Sequence, residues 1–404
     1  MKNVAITNYS VVAPQALDPD AFWKLIEEGV SAIGRIERFD AAPTGCAIGG
    51  EVGPFDLGFL PAGMKPKRMS RHTLLLMKAA HLLSPSLPST GKFGVRIGIS
   101  TSDSAMIAQS GYQRALKGPA GANPHCVAQA PPHCAVGTVG RFLGAREDVQ
   151  TISTACAAGL EAIGLGARDI SSGRSQCIVA GGGDAPLDTT PLVEFFRAGL
   201  ASARNDHPSQ ASRPFDAFAD SGVLSDAAAL VLLEDMDYAL DRGANILGEV
   251  VGYGSRCDHS VAEPGCGYAP CMQEALDSAG LNPEDIDYIS AWGPGHPTLD
   301  RAEASAIETI FGDYADEVPV SSIKGTLGNP LAGAGPAQVI AALQGLSRGV
   351  IPHTTNLEIP LPNTRLNLVM NRPLRYDYEH VLINAHGIGG SNVSLIVKHS
   401  AGNN

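Results

Sequence analysis

The sequence lacks the features that mark membrane-spanning and nucleic-acid-binding proteins. None of its apolar runs approaches the ~20 residues that a helix needs to cross a bilayer. Its net charge of -12 is spread along the chain, which argues against a surface dedicated to nucleic acid or to an anionic membrane. Aromatic residues make up only 5% of the chain, so no stacking site for a planar ligand stands out. We therefore expect a protein that acts without nucleic acid and without a membrane.

The cysteine pattern of secreted proteins is also missing. Eight cysteines at irregular spacing in 404 residues indicate reduced thiols and not a disulfide framework. The one local pattern is His125-Cys126 followed by His133-Cys134, whose side chains are of types that bind metals. Because apolar residues and prolines surround both pairs, we expect buried core thiols and no metal. The N-terminal segment has a broken apolar stretch that favours a strand over a signal peptide, so a cytoplasmic location is expected.

What the chain does have is a globular composition and an alternation of strand and helix patterns. Hydrophobic residues make up 44% and charged residues 17%, which is ordinary for a folded protein with two core-forming units. Short apolar runs that end at glycine or polar clusters predict strands at residues 4–12, 93–99, 177–180 and 228–233. Helical periodicity appears at residues 20–28, 70–83 and 159–170. This alternation predicts a layered α/β architecture with a largely parallel sheet.

A second cycle of the same kind begins near residue 246. It predicts helices at 268–279, 301–311 and 336–346, a turn at 325–335, and strands at 286–291, 381–384 and 392–397. We therefore divide the chain into two comparable halves, residues 1–245 and residues 246–404. No long linker or low-complexity tract separates them, so we expect the halves to share one core.

Cys156 is the candidate nucleophile. It follows a β-branched run and small residues, and it precedes an amphipathic helix. At a helix N terminus, free backbone N–H groups and the helix dipole lower the pKa of a thiol, and they can stabilise an oxyanion. On spacing alone, a buried structural cysteine before a helix is the ordinary interpretation.

Longer blocks of sequence change that interpretation. The segments STACAAGLEAIGLGARDISSG and CIVAGGGDAPL, and later VPVSSIKGTLGNPLAGAGPAQ and NAHGIGGSNVSL, resemble the β-ketoacyl-[acyl-carrier-protein] synthases in kind and order. The pattern is most similar to the type II polyketide ketosynthases and their chain-length-factor partners. The resemblance implies the thiolase fold, with two duplicated halves in an α/β/α/β/α arrangement. It also implies a homodimer or a heterodimer with another ketosynthase, and acyl groups delivered on the phosphopantetheine of an acyl carrier protein or of coenzyme A, with no other cofactor.

Two positions of the family's catalytic set differ in this chain. Trp292 stands where the family normally carries its first catalytic histidine, and Asn329 stands where it carries the second. Lys324, the family's lysine, is kept. An asparagine N–H can still donate to a developing enolate, but an indole cannot act as a base. Since the histidine pair stabilises the charge that develops on decarboxylating a malonyl thioester, we expect that reaction to be severely impaired.

Other residues of the resembling motifs are candidates for the same site. His386 occupies an aromatic position of the glycine-rich closing loop, and His296 replaces a hydroxyl residue that would border the pantetheine channel. Either can be a relocated base, or His386 can simply fill an aromatic slot and His296 line the channel wall. Ile388 and Gly389 in the closing loop, and Pro294 where the family has a hydroxyl residue, are candidate substrate-binding positions.

The leading functional hypothesis is an acyltransferase that loads an acyl group on Cys156 and passes it on without the usual decarboxylation. The alternative is a non-catalytic subunit, like a chain-length factor, that shapes the cavity of an active partner. Retained Cys156 favours the first hypothesis. A third and weaker hypothesis is full condensation with His386 or His296 as base. Four basic residues lie close together and are a candidate surface for an acidic carrier protein: Lys65, Lys67, Arg68 and Arg71.

Overall fold

The computed structural model describes residues 2–101 and 103–399, and its strands and helices alternate as predicted. The strands are β1 Val4–Val12, β2 Gly34–Arg35, β3 Ile48–Gly49, β4 Gly94–Gly98, β5 Val149–Ile152, β6 Cys177–Asp184, β7 Ala227–Asp235, β8 Gly248–Cys257, β9 Tyr288–Ser290, β10 Pro319–Ser321, β11 Val350–Ile351, β12 Asn367–Leu368, β13 Leu374–Arg375, β14 His380–Gly387 and β15 Ser391–Lys398. The helices are α1 Pro19–Glu28, α2 Arg71–Leu83, α3 Ser104–Lys117, α4 Cys126–Gln129, α5 Pro132–Leu143, α6 Ala158–Ser171, α7 Thr189–Arg197, α8 Met236–Asp241, α9 Tyr268–Ala279, α10 Pro297–Phe311, α11 Lys324–Leu327 and α12 Ala334–Leu346.

The two halves of the chain repeat one strand arrangement. The first half is ordered β5-β4-β6-β7-β1 and the second β10-β9-β14-β15-β8. If the strands of each half are numbered along the chain, both orders are 3-2-4-5-1. In both halves the fifth strand is antiparallel to its two neighbours, while the remaining pairs are parallel. The fold is therefore duplicated, with four of five strands in each half pointing the same way.

The half-sheets join through a short antiparallel pairing of β1 with β8, from Val4 opposite Val250 to Ile6 opposite Gly248. Helices α6 and α12 contact each other and strands of both halves, so they form a central layer. Helices α2 and α5 cover the first half-sheet from outside, and α9 covers the second, with α10 packed against α9. This is the expected α/β/α/β/α arrangement. One hydrophobic cluster contains buried side chains from both halves, in agreement with a shared core; the boundary at residue 245 stays a prediction.

Most predicted elements are found within a few residues of their expected ends. Helix α1 begins where the Asp18 side chain accepts a hydrogen bond from the Ala21 N–H at 2.9 Å, and it ends at Gly29, whose φ of 62° suits a glycine. The expected helix at 301–311 starts earlier, because Pro297 is accommodated in its first turn. The predicted turn at 325–335 is wrong in detail: it contains the end of α11 and a 3₁₀ turn at Leu331–Gly333.

The prediction for the two His-Cys pairs is also wrong in detail. Cys126 begins the short surface helix α4, and Cys134 lies in the first turn of α5, so both thiols are only partly buried. Their sulfurs donate to backbone carbonyls, that of Cys126 to Met106 and that of Cys134 to Val127. Within residues 2–101 and 103–399, no group of three or more His, Cys, Asp or Glu side chains has the arrangement of a metal site.

Candidate active site

Cys156 lies at a sharp bend that leads into the central helix α6. It is the middle residue of a 3₁₀ turn, Ala155–Ala157, that runs directly into α6. The preceding Ala155 has a φ of 49°, an uncommon conformation for a residue with a side chain. The bend turns the cysteine toward the second half of the molecule, and only 4% of its surface remains exposed.

Two glycines allow the backbones of the two halves to meet at this bend. A Cβ atom on Gly159 would overlap the carbonyl oxygen of Ala332, and one on Gly387 would overlap that of Thr154. Because neither glycine carries a side chain, the loop after α11 and the end of β14 both approach Cys156 closely. This packing brings residues distant in sequence to one place.

A cavity of about 40 Å³ lies over the thiol and contains most of the predicted site. Seven residues predicted from the sequence line it: Cys156, Trp292, Pro294, His296, Asn329, His386 and Ile388. Sequence reasoning did not single out Phe195, Leu200 and Leu299 of its wall, since isolated apolar residues carry no motif. Gly389 lies instead in an adjoining cleft of about 440 Å³, which shares His296, His386 and Ile388 with the inner cavity. The cleft thus leads toward the thiol from outside.

The electrostatic environment of Cys156 corrects one expectation. Burial, with the nearby Asp184 carboxyl, raises the pKa of the thiol to about 11, despite hydrogen bonds from the Ser100 side chain and the Ile388 backbone and the proximity of Lys324. The position at a helix N terminus led us to expect a lowered pKa, but removal of the thiolate from water dominates. The thiol is therefore protonated at neutral pH, and a group that accepts its proton becomes important.

Asn329 presents a hydrogen-bond donor to the cavity. Its backbone is fixed on both sides, since its N–H donates to the Val223 carbonyl at 2.7 Å and its carbonyl accepts from the Ser225 N–H at 3.1 Å. The side-chain Oδ1 accepts from the Leu331 N–H at 3.3 Å. With the oxygen so engaged, the NH₂ group is left for a ligand in the cavity that Asn329 lines.

The imidazole of His386 is held by a chain of polar groups. Its Nδ1 lies 3.0 Å from Oδ1 of Asn392. The Asn392 Nδ2 in turn donates to Oδ1 of Asp258 at 2.8 Å and to the Gly390 carbonyl at 3.1 Å. Sequence reasoning named His386 but not the two residues behind it; Asn392 lies in the closing motif that the sequence does display.

His296 differs from His386 in having no such support. It lines both cavities, yet its buried Nδ1 finds no hydrogen-bond partner among the described residues. Burial lowers the pKa of its imidazole, which favours the neutral form. The two candidate bases named from the sequence are therefore in different environments.

Lys324 does not line the cavity but lies buried behind Trp292. Its Nζ donates to the Trp292 carbonyl at 2.6 Å and lies 3.7 Å from the centroid of the indole ring. Burial lowers the pKa of the ammonium to about 7, against the opposing influence of Glu303, Asp300 and Cys156. The lysine thus supports the tryptophan loop from behind, and its place in the family's catalytic set stays a prediction.

Two buried carboxyl groups that the sequence reasoning missed hold the same loop. Glu303 accepts from the backbone N–H groups of Trp292 and Gly293, each at 2.8 Å. Asp300 accepts from the Gly295 N–H at 3.1 Å, and burial raises its pKa to about 8. Their spacing of three residues in the first turns of α10, directly after the tryptophan motif, was the available signal.

Gly222 lines the cavity as well, and Asp226 lies four residues further along the same segment. A Cβ atom on Gly222 would come within 2.8 Å of the Pro294 carbonyl oxygen, so glycine makes room for the tryptophan loop. Asp226 forms a buried ion pair with Arg71 at 2.9 Å. Arg71 is therefore directed inward, and it does not belong to the exposed basic surface that the sequence suggested.

A duplicated α/β/α/β/α fold with a cysteine at the start of a central helix defines the thiolase-fold class of proteins. The Beta-ketoacyl synthase, N-terminal domain, family model matches residues 1–239, and the Beta-ketoacyl synthase, C-terminal domain, model matches residues 247–358. The chain is 33% identical to 3-oxoacyl-[acyl-carrier-protein] synthase 2 of Synechocystis sp., with 98% of each chain covered. It is 32% identical to putative polyketide beta-ketoacyl synthase 1 of Streptomyces cyaneus, with 99% of each covered. The chain belongs to the β-ketoacyl synthase family.

Solved structures give the same result. The ishigamide ketosynthase/chain length factor superposes with a TM-score of 0.92 at 27% identity, covering 99% of this chain and 100% of the other. A type II PKS acyl-carrier protein in complex with its ketosynthase bound to the hexaketide, AntDE:AntF, superposes with a TM-score of 0.90 at 25% identity, covering 99% of each chain. No helix within residues 2–101 and 103–399 combines the length and apolarity required to cross a membrane.

Proposed function

We propose that this protein transfers acyl groups through a thioester on Cys156 and does so without the usual histidine-dependent decarboxylation of a malonyl unit. One observation carries the proposal: the thiol, the Asn329 amide and the His386 imidazole line a single small cavity at the end of a larger open cleft. A nucleophile, a neutral hydrogen-bond donor and a nitrogen base are the groups that transthioesterification requires.

The loading step needs only these groups and the backbone. The Cys156 sulfur attacks the carbonyl carbon of the incoming thioester, and the carbonyl oxygen gains negative charge. The proposed donors to this oxygen are backbone N–H groups beside Cys156 and Ile388, since the Ile388 backbone lies close enough to the sulfur to lower the pKa of the thiol. The pantetheine thiol leaves, and the acyl group stays on Cys156 until an amine, an alcohol or another thiol accepts it.

Decarboxylation makes a further demand that Trp292 does not meet. The developing enolate of a malonyl thioester needs hydrogen-bond donors at its oxygen, and losing one such donor costs about 3 kcal/mol of transition-state stabilisation. Asn329 can supply one donor, but the indole of Trp292 packs on Lys324. The acyl group is therefore expected to be passed on without carbon dioxide release.

The donor of the acyl group is proposed to be an acyl carrier protein or coenzyme A. A surface cleft of about 340 Å³ is lined by Lys65, Arg68, His125 and Arg141, which suits an acidic carrier. A dimer with a second ketosynthase chain is proposed as well, since apolar side chains on and near α3 are exposed: Ile107, Tyr112, Leu116 and Val127. All eight cysteines are free thiols, which fits a cytoplasmic location.

Intact-mass analysis tests the proposal. The purified chain is incubated with an acyl carrier thioester, and the mass of wild type is compared with that of Cys156→Ala. We expect one acyl adduct on wild type and none on the variant, with no carbon dioxide released from a malonyl thioester. Absence of a Cys156-dependent adduct with both carrier and coenzyme A thioesters would contradict acyl transfer, and rapid carbon dioxide release would contradict the lost decarboxylation.

The second candidate is a non-catalytic subunit that resembles a chain-length factor. The small volume over Cys156 and its raised pKa, about 11, favour this role because they describe a thiol that is hard to reach and mostly protonated. Tight co-purification with a complete ketosynthase, together with no adduct on Cys156, is the outcome that supports it. Retention of that partner's full activity in the absence of this chain would contradict it.

A further inference from the structure

We propose that His386 accepts the proton of the Cys156 thiol at Nε2, while Asn392 and Asp258 hold the imidazole in the tautomer that leaves this nitrogen free. This inference rests on the proposed acyl transfer and assigns a base to it. The residues of this arrangement lie in the hairpin formed by β14 and β15, in the loop after β8 and at the bend that carries Cys156. It makes His386 the catalytic base and makes Asn392 and Asp258 positioning residues.

The orientation of the Asn392 amide fixes the tautomer of His386. Three oxygens surround Nδ2 of Asn392: Oδ1 of Asp258 at 2.8 Å, the Gly390 carbonyl at 3.1 Å and the Arg256 carbonyl at 3.3 Å. An amide turned the other way would direct its own oxygen at these three acceptors, so Oδ1 must face His386. Since Oδ1 only accepts, Nδ1 of His386 carries the proton and the Nε2 lone pair is unoccupied.

Asp258 fixes the position of Asn392 through hydrogen bonds to its own loop and to the turn between β14 and β15. Its carboxylate accepts from the N–H groups of Gly265 and Gly267, at 2.9 and 2.8 Å, as well as from Asn392. Its own N–H donates to the Gly390 carbonyl at 2.7 Å. The position of Asn392, and with it the plane of the imidazole, is therefore determined by several independent hydrogen bonds.

The imidazole, whose Nδ1 is held by Asn392, shares a small cavity with the thiol. His386 and Cys156 line the same cavity of about 40 Å³. Since one water needs roughly 10–15 Å³ of such volume, the cavity has room for only about three waters, which can relay a proton between the groups that line it. The Ile388 backbone, two residues after His386, lies close enough to the sulfur to lower the pKa of the thiol. His296 lines the cavity too, but its Nδ1 has no partner among the described residues and its tautomer is not fixed.

The proton balance of the transfer closes with this one base. In loading, the S–H proton of Cys156 moves to Nε2 of His386, and the sulfur forms a bond to the acyl carbon. The carbon–sulfur bond to pantetheine then breaks, and the leaving thiolate takes the proton from Nε2. In the second transfer, the acceptor gives its proton to Nε2, attacks the thioester, and the released Cys156 sulfur takes the proton back.

The titratable groups around this pair come from five segments of the chain. Asp258 in the loop after β8 faces His386 through Asn392, Tyr268 at the start of α9 packs on the imidazole with ring centroids 5.4 Å apart, and His296 faces the same cavity. Asp184 and Lys324 act on the thiol from the other side. Burial raises the pKa of Tyr268 well above its ordinary value, so its hydroxyl stays neutral and does not compete for the proton.

Three variants test the assignment by the pH dependence of Cys156 acylation. Without a base, the rate must follow the thiolate fraction and rise about tenfold per pH unit from about pH 7 to about pH 9. Wild type should show a shallower rise. His386→Phe, which fills the volume without a base, should lower acylation by roughly 10²- to 10⁴-fold near pH 7 and restore the steep rise. Asn392→Ala should give an intermediate loss and an intermediate slope, since the base remains but is no longer held in place.

The matched control is His380→Gln, six residues earlier on β14 and outside both cavities, which should keep the rate and slope of wild type. Alkylation of Cys156 by iodoacetamide, read by peptide mass, follows deprotonation without any acyl donor. If alkylation and acylation of His386→Phe keep the wild-type slope, the assigned base is wrong. If the variant changes the alkylation slope but no protein forms an acyl adduct, the base is right and the proposed acyl transfer fails.

Discussion

Two walls of the cavity over Cys156 use buried polar groups in opposite ways. The Trp292 wall consists of Trp292 with Lys324, Glu303 and Asp300 behind it, and its ionisable groups bind the backbone of one loop. The His386 wall consists of His386, Asn392 and Asp258, in which the imidazole donates to Asn392 and Asn392 donates to the Asp258 carboxylate. In the Trp292 wall, the ionisable groups all hydrogen-bond to the backbone of the loop. In the His386 wall, the Nε2 atom of His386 is left without a partner among the described residues.

The comparison shows how to distinguish buried polar groups that stabilise the fold from those that can take part in a reaction. Lys324 has a pKa lowered to about 7 by burial, which alone would suggest a proton carrier. Its Nζ, however, is engaged by the Trp292 carbonyl and covered by the indole, so it has no path to a ligand. His386 can serve because its hydrogen bonds leave its second nitrogen unused. What distinguishes the His386 wall is a nitrogen atom to which the described part of the chain offers no hydrogen-bond partner, and not a shifted pKa.

The largest expected effect is on stability, from Trp292→Ala. Trp292 is buried, and removing a large buried aromatic side chain costs about 3–5 kcal/mol of the free energy of unfolding. The folded fraction should still show the shallow pH dependence of Cys156 acylation, because the His386 wall is untouched. Chemical denaturation measures the first and intact mass the second. Trp23→Ala, at the chain's other tryptophan, is the matched control, since it removes a buried indole outside the cavity. If Cys156 acylation rises steeply with pH in Trp292→Ala but not in Trp23→Ala, the two walls do not act independently.

Trp292→His should give the next largest effect, because it adds a hydrogen-bond donor to the Trp292 wall of the cavity. An imidazole here can donate to a developing enolate beside Asn329, and one such donor is worth about 10²-fold in rate. We expect release of carbon dioxide from a malonyl thioester to become measurable, at a rate about that factor above any residual wild-type rate. Trp292→Phe is the control, since it occupies the space without a donor and should release none. A folded Trp292→His with the wild-type rate would show that the loop geometry around Pro294, and not the missing side chain alone, prevents decarboxylation.

The sequence predicted the repeated fold and the members of the cavity well, but not their electrostatics. Ordered motifs name Cys156, Trp292, Asn329 and His386 because each stands at the end of a strand or in a glycine-rich turn that the pattern displays. The rise in the pKa of Cys156 could not be predicted, since it results from burial by residues that are far apart in the chain. Asp258 was missed for a similar reason: 134 residues separate it from Asn392, and only the folded hairpin brings them together.

Asp258→Asn is the smallest of these changes and the sharpest test of the His386 wall. Burial alone would raise the pKa of Asp258, but hydrogen bonds from the Gly265 backbone, Asn392 and the Gly267 backbone, with His386 nearby, hold it below the ordinary value of 3.8. A carboxylate with a lowered pKa contributes stability above its unfolded value, and that contribution is lost as pH falls through the folded value. At neutral pH it is therefore charged and fully engaged.

Replacing that carboxylate by an amide keeps an oxygen for Asn392 but removes the charge and places an NH₂ group near a backbone donor. Exchanging a charged for a neutral hydrogen bond costs about 1 kcal/mol, so acylation of Cys156 should fall only about fivefold. Its shallow pH dependence should persist, because Asn392 still directs Oδ1 at His386. A loss as large as that of His386→Phe would mean that the charge of Asp258 stabilises the imidazolium itself. Asp258 would then act in the proton transfer and not only in the placement of Asn392.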